Sequence, residues 1–387
     1  MLFFSESFAI LQEAQGVIMK TSSFTRVLMV MGTLLSICVN GALAADYSIT
    51  DLGPVSSGAE DAGQPERRLH RKGISDLGTL GGQYGSRVLA INNGGQVTGV
   101  STIAESDWNA FLYSKGVMVG LGTLGGNYSY GAGINNAGQI VDRSTLIGNA
   151  TEHAFLYSQG EMSDLGTLGG TGSVVSGIND RGQVVGSSST DDFNLHAFLY
   201  SGGVMIDLGT LGGSYSVAKG INNAGQVVGY SATADNTSEH AFLYNRGTMI
   251  DLDSPGGSSS AMGINDDGQV VGYYALAGST TRHAFLYSAG VMTDLGTLDG
   301  YTDSFAYGIN NAGQVVGISF DWGFEMVRPF LYNKGVMIDL NTLLPPDSGW
   351  VLRSTGGINE SGQIIGYGLK DGAEHVYIMT PRKTKRP

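Results

Sequence analysis

Gly220-Ile221-Asn222-Asn223-Ala224-Gly225-Gln226-Val227-Val228-Gly229 is followed by His240-Ala241-Phe242-Leu243-Tyr244 and then by Asp251-Leu252. Apolar β-branched residues flank an Asn-Asn-Ala-Gly step, the pattern of a hairpin: a type I turn closed by a glycine in the left-handed region, with a bulge. The same order of parts occurs seven times. Its isoleucine falls at Ile91, Ile134, Ile178, Ile221, Ile264, Ile309 and Ile358, at spacings of 43, 44, 43, 43, 45 and 49 residues. A second landmark is Phe111, Phe155, Phe198, Phe242, Phe285 and Phe330, with Tyr377 in the seventh unit. A third is Asp-Leu, replaced in the first unit by Gly120-Leu121.

Each unit reads as four short strands. The first ends at Ile-Asn, the second is Gln-Val-Val-Gly, the third His-Ala-Phe-Leu-Tyr and the fourth Val-Met-Ile-Asp-Leu. In the third strand Phe242 and Tyr244 point one way and Ala241 and Leu243 the other, so both faces are apolar and each needs a neighbouring sheet. Four antiparallel strands per ~40–50 residues, repeated radially, is the pattern of a β-propeller blade. The fold class expected is therefore all-β, a propeller of four-stranded antiparallel blades. Small residues in the first strand (Ser216, Ala218, Gly220) suit a place near the axis.

The expected ring has seven blades over residues 73–380. The last unit ends after His375-Val376-Tyr377-Ile378 without a fourth strand, whereas Gly73-Ile74-Ser75-Asp76-Leu77-Gly78 precedes the first unit as an unpaired one. Pairing them removes the free edges. Residues 45–72 then read as a decayed partial repeat forming a flap. The alternative is an eight-part ring with one incomplete blade, closed by Tyr47–Gly53, which carries the same fourth-strand pattern.

At this point the units resemble the HAF-repeat family of extracellular bacterial proteins, through Glu239-His240-Ala241-Phe242-Leu243-Tyr244 and Asp207-Leu208-Gly209-Thr210-Leu211-Gly212-Gly213. The resemblance covers nearly all of residues 73–380. It implies export and a bacterial source, and it brings no catalytic residues. Departures are Asn109 and Arg328 in the histidine position, and Asp142 for the glycine that ends strand two.

The N-terminus agrees with export. Lys20 and Arg26 precede an apolar run from Val27 to Val39, and Ala42-Leu43-Ala44 offers a cleavage site, so residues 1–44 read as a signal peptide with a true start near Met19. The run is too short for a spanning helix, and Ile37 stands where a lipoprotein signal before Cys38 wants a small residue. Cleavage near Ala44 leaves a secreted or periplasmic chain with net charge −13, no cysteine and no transmembrane segment. That acidity disfavours nucleic acid as a partner. A monomer is expected.

Chemistry is sparse. Five histidines (His153, His196, His240, His283, His375) share one repeat position and read as within-blade hydrogen-bonders, because equivalent positions on successive blades diverge. The repeated glutamines read as strand-end hydrogen-bonders. Asp299 and Asp303 lack the alternating oxygens of a calcium loop. No nucleophile elbow, metalloprotease motif or phosphate loop is present, so catalytic residues, metal and cofactor are all read as none.

Variation concentrates between strands two and three. Two of these loops carry Asp-Trp: Asp107-Trp108, and Asp321-Trp322 with Phe324 and Glu325. A third carries Asp191, Asp192 and Phe193. Aromatics beside carboxylates suit sugar recognition, the ring stacking and the carboxylate accepting hydroxyl hydrogens. A non-enzymatic scaffold binding carbohydrate or protein through these loops is the leading reading. A polysaccharide-acting hydrolase or lyase and a structural surface component are the alternatives.

Overall fold

A computed structural model describes residues 47–54, 79–82, 86–103, 107–252, 257–321 and 326–382. The leader, residues 55–78 and residues 383–387 lie outside them. The described chain is all-β apart from one 3-10 turn, Leu340–Leu343. The strands form antiparallel sheets of the expected order. In the fourth unit they are Gly212–Ile221, Val227–Thr233, Glu239–Asn245 and Thr248–Asp251, paired in sequence.

The two-faced third strand places each unit between its neighbours. Phe242 and Tyr244 pack with Val185, Ala197 and Leu208 of the preceding unit, while Ala241 and Leu243 pack with Ala261, Val270 and Phe285 of the following one. Phe111, Phe155, Phe198, Phe242, Phe285 and Phe330 are all fully buried, as is Tyr377 in the seventh unit. Each such side chain stabilises the stack by roughly 1.5–3 kcal/mol. The glycine ending strand two makes room for this contact: a Cβ on Gly229 would lie 1.9 Å from the Val217 carbonyl oxygen. In unit two that position is Asp142, and the first strand is broken there into Gly125–Ser129 and Gly133–Ile134. The side chain occupies the space that the intervening backbone needs.

The hairpin turn behaves as its residues demand. Gly225 has φ +81°, its N–H donates to the Asn222 carbonyl at 3.0 Å, and the Ala224 N–H donates to Asn222 Oδ1 at 3.1 Å. Asn222 does more than form the turn. Its Oδ1 also accepts from the Gln226 N–H, and its Nδ2 donates to Gln226 Oε1 at 2.8 Å and to the Asn265 carbonyl of the next unit at 3.0 Å. All four hydrogen-bonding capacities of the buried amide are used. The same link between units runs from Asn92, Asn135, Asn179, Asn265 and Asn310 to the asparagine carbonyl of the following unit.

One expectation is corrected. The free edge of the last sheet is taken by Tyr47–Pro54, which pairs antiparallel with Ala373–Pro381, not by residues 73–78, which lie outside the described residues. Tyr47–Pro54 therefore belongs to the sheet framework rather than to a flap. The pairing is selected by side chains as well as backbone: Asp51 accepts from His375 Nδ1 at 2.7 Å, and Tyr47 is buried with Met379 and Trp350. Trp350, after Pro345-Pro346, packs in that core with an edge contact to Tyr377.

Candidate functional site

Two ends of the strands present different chemistry. At one end lie the Asn-Asn-Ala-Gly turns; strand two, about 20 Å long for seven residues, carries the chain to the other end, where the variable loops emerge. The turns of all seven units line a cavity of about 470 Å³. Its polar rim is committed to holding neighbouring units together: Asn136 and Asp180 accept from the Asn93 and Asn136 N–H groups at 3.0 and 2.9 Å, and Asp266 accepts from Asn223 at 2.8 Å. Glu360 closes the series by accepting from the Asn311 N–H at 3.0 Å.

The histidines act within their units. Nδ1 of His153, His196, His240 and His283 lies 2.7–2.9 Å from Asp164, Asp207, Asp251 and Asp294, tying strand three to strand four. In unit one both partners are replaced together, by Asn109 and Gly120. In unit six Arg328 keeps only a 3.9 Å contact between Nε and Asp339. Among the described residues no group of three or more His, Cys, Asp or Glu is arranged to hold a metal ion. Asp303 is a buried structural residue that accepts from the Arg282 N–H at 2.9 Å.

The loop residues singled out from sequence belong to units one, three and six. Asp107 and Trp108 are half-buried, and Trp108 begins a strand, facing Thr102 and bridging to Tyr128 of unit two. Asp192 is held below the usual carboxylate range by the Thr190 hydroxyl and by Asn194. Phe193 beside it is 86% exposed at φ +64°. The Asp321 carboxylate accepts from the Thr302 N–H at 3.2 Å. Trp322, Phe324 and Glu325 lie outside the described residues. Asp107, Trp108, Asp191, Asp192, Phe193 and Asp321 do not line the cavity at the turn end.

What the loop end does hold is a cleft of about 520 Å³ between units six and seven, lined by Tyr301, Tyr307, Met326, Arg328, Val351, Arg353, Tyr367 and Glu374. That volume is typical of a small-ligand site. Met326 is 56%, Tyr367 47% and Val351 44% exposed, so apolar surface collects here. Burial, and then the neighbouring Tyr273 and Tyr367, push the Tyr307 hydroxyl up to about 12, which keeps it a neutral donor at ordinary pH. Phe305, on the same strand as Tyr307, stacks on Tyr273 with ring centroids 4.1 Å apart. Sequence reasoning reached this place only through Arg328 and the unit-six loop. The signals it passed over were Tyr301, in the unit whose spacing grows to 45, and Tyr307, at a first-strand position that holds no aromatic residue in the other units, whereas Tyr367 repeats the tyrosines of Tyr230 and Tyr273 and gives no signal of its own.

Residues 250–371, about a third of the chain, match a family described as a protein of unknown function (DUF3466). Among curated proteins none matches the chain. Of solved structures, it is similar to the β-propeller domain of the trilobed protease from Pyrococcus furiosus, described as having an open velcro topology. The two share 9% identity at a TM-score of 0.50, over 78% of this chain and 99% of that one. An acylaminoacyl peptidase from Pyrococcus horikoshii matches at 13% identity and TM-score 0.46, over 75% of this chain and 52% of that one. TolB from Acinetobacter baumannii matches at 13% identity and TM-score 0.40, over 74% and 64%. No helix of the described residues is long and apolar enough to cross a membrane. At these identities the likeness concerns the fold alone, and that fold is a β-propeller.

Proposed function

We propose that this chain is an exported, non-enzymatic binding scaffold: a single ring of seven blades, its last blade completed by Tyr47–Pro54, that takes a carbohydrate or protein ligand at its loop end. Export rests on the leader before Ala44, which implies a secreted or periplasmic place. The observation that carries the binding reading is the cleft between units six and seven, with three tyrosines and exposed apolar side chains on a rigid stack of sheets. Tyrosine supplies flat apolar area and a hydroxyl at low entropic cost, the combination used to hold sugars and polar protein surfaces.

The enzymatic alternative is less well supported. Hydrolysis of a glycosidic bond takes a pair of carboxylates flanking it, and the cleft is lined by one, Glu374. The test is a binding screen of the full chain against oligosaccharides and peptides, with Tyr367→Ala and Tyr307→Ala as probes. Loss of about tenfold in affinity on removing either ring is expected. Ligand binding indifferent to both substitutions, or abolished only by Trp108→Ala, would move the site elsewhere on the loop end.

A further inference from the structure

We infer that the ligand of the cleft between units six and seven is an acidic oligosaccharide, its carboxylate received by Arg328 and Arg353. This rests on the binding reading above and names the ligand class. The chain carries a net charge of −13, yet this cleft is lined by two guanidinium groups and a single carboxylate. A local excess of positive charge in an acidic molecule attracts a ligand of opposite sign, which the rest of the negatively charged surface repels.

Both arginines stand where the chain departs from its repeat. Arg328 replaces the histidine of the other units, and the short bond to aspartate that histidine makes becomes a 3.9 Å contact through Nε. Its two terminal nitrogens make no hydrogen bond or ion pair among the described residues. Arg353 is the extra residue of a bulge: Leu352 pairs with Gly368 and Ser354 with Tyr367, leaving Arg353 unmatched between them. A bulge re-aims a side chain at the cost of a ladder bond, and such devices gather beside functional sites. Arg353 is exposed and has no carboxylate within ion-pair distance among the described residues.

The remaining lining completes a sugar site. Guanidinium groups match a carboxylate through paired N–H donors. Tyr301, Tyr307 and Tyr367 offer rings for the apolar faces of pyranoses, and Glu374 accepts a hydroxyl hydrogen at the rim. A sulfate or phosphate ester would satisfy the arginines equally, but the tyrosines favour a ligand that alternates apolar faces with its charges. An acidic peptide lacks those repeated flat faces.

The test is calorimetric titration of the full mature chain with hexagalacturonate, with cellohexaose as the neutral probe and hexaglutamate as the acidic peptide. Hexagalacturonate is expected to bind at least tenfold more tightly than the other two, and to weaken as ionic strength rises. Arg353→Gln and Arg328→Gln are each expected to weaken it about tenfold, as loss of a charge-assisted hydrogen bond does. Both side chains are at least partly exposed, and an unchanged thermal midpoint in each variant separates lost contact from lost fold. Equal binding of cellohexaose that responds to Tyr367→Ala overturns the acidic class and leaves the binding reading standing. Tighter binding of hexaglutamate does the same in favour of a protein ligand. Binding of none of the three overturns both.

Discussion

Six joints between consecutive units are built alike, and the place where unit seven meets unit one is not. At each of the six, an asparagine Nδ2 reaches the next turn's carbonyl, and glutamines such as Gln183 lie against the next unit's turn glycine. Each also encloses an apolar cluster of its own. Between units seven and one, Asn359 bonds its own Gln363 but makes no such link onward, and nothing lies within 4 Å of where a Cβ on Gly95 would sit, in both cases among the described residues. A cavity of about 250 Å³, lined by Leu89, Ile91, Gly356, Gly357, Ile365 and Ile378 among others, separates the two. A repeat makes a good joint only where both partners keep the repeat's residues. The last unit has lost its small alanine before the aromatic, carrying Val376, and Tyr47–Pro54 pairs with its last strand, while its apolar packing is with unit six.

The largest effect expected is a contrast between equivalent asparagines. Asn222→Asp removes both donors and buries a charge facing the Gln226 and Asn265 oxygens, so denaturant unfolding should show a loss of about 3–5 kcal/mol. Asn359→Asp breaks one contact at a more accessible turn and should cost about 1–2 kcal/mol. Equal losses would mean that the two joints are equally tight.

Asp142 tests whether a broken strand and a loose joint are different things. Burial pushes its carboxyl up to about 7, with Arg143 at 3.7 Å pulling the other way. A carboxyl raised above its unfolded value favours the folded chain when protonated, so its contribution is greatest below about pH 4 and is lost as pH rises through about 7. The shift from 3.8 to about 7 corresponds to on the order of 4 kcal/mol. Asp142→Gly should therefore raise the thermal midpoint more at pH 8 than at pH 4, and should leave the unit-seven joint as it was. A gain independent of pH would remove the titration account.

Much of this was legible in the residues. The turn, the buried phenylalanines, the two-faced third strand and the histidine bonds all follow from side-chain chemistry repeated at one spacing. The closing strand was not, because Tyr47–Gly53 and Gly73–Gly78 carry the same Asp-Leu-Gly pattern, and only tertiary contacts such as that of Asp51 with His375 choose between them. Arg353 was equally hidden, since a bulge exists only relative to a partner strand. The cleft draws on two units, and no single copy of the repeat announces it.

Smaller differences should follow the same division. His240→Ala and His375→Ala each remove one partly exposed His–Asp contact and should cost about 1 kcal/mol in thermal unfolding. His375→Ala should in addition speed amide hydrogen exchange in Tyr47–Pro54, because Asp51 is that strand's charged tether. If exchange there is unchanged, the backbone ladder alone holds the strand. Gln363→Ala, at the loose joint, should change stability by under about 0.5 kcal/mol, less than Gln183→Ala.

The closure of the last sheet can be read directly with paired cysteines. Ser48 and Thr380 are register partners, and opposite residues of antiparallel strands lie about 4.5–5.5 Å apart at Cα, within disulfide reach. In a chain without Cys38, Ser48→Cys with Thr380→Cys is expected to oxidise almost completely in a glutathione buffer and to raise the thermal midpoint, while Gly73→Cys with Thr380→Cys stays reduced. Oxidation of the second pair in preference to the first would contradict closure by Tyr47–Pro54.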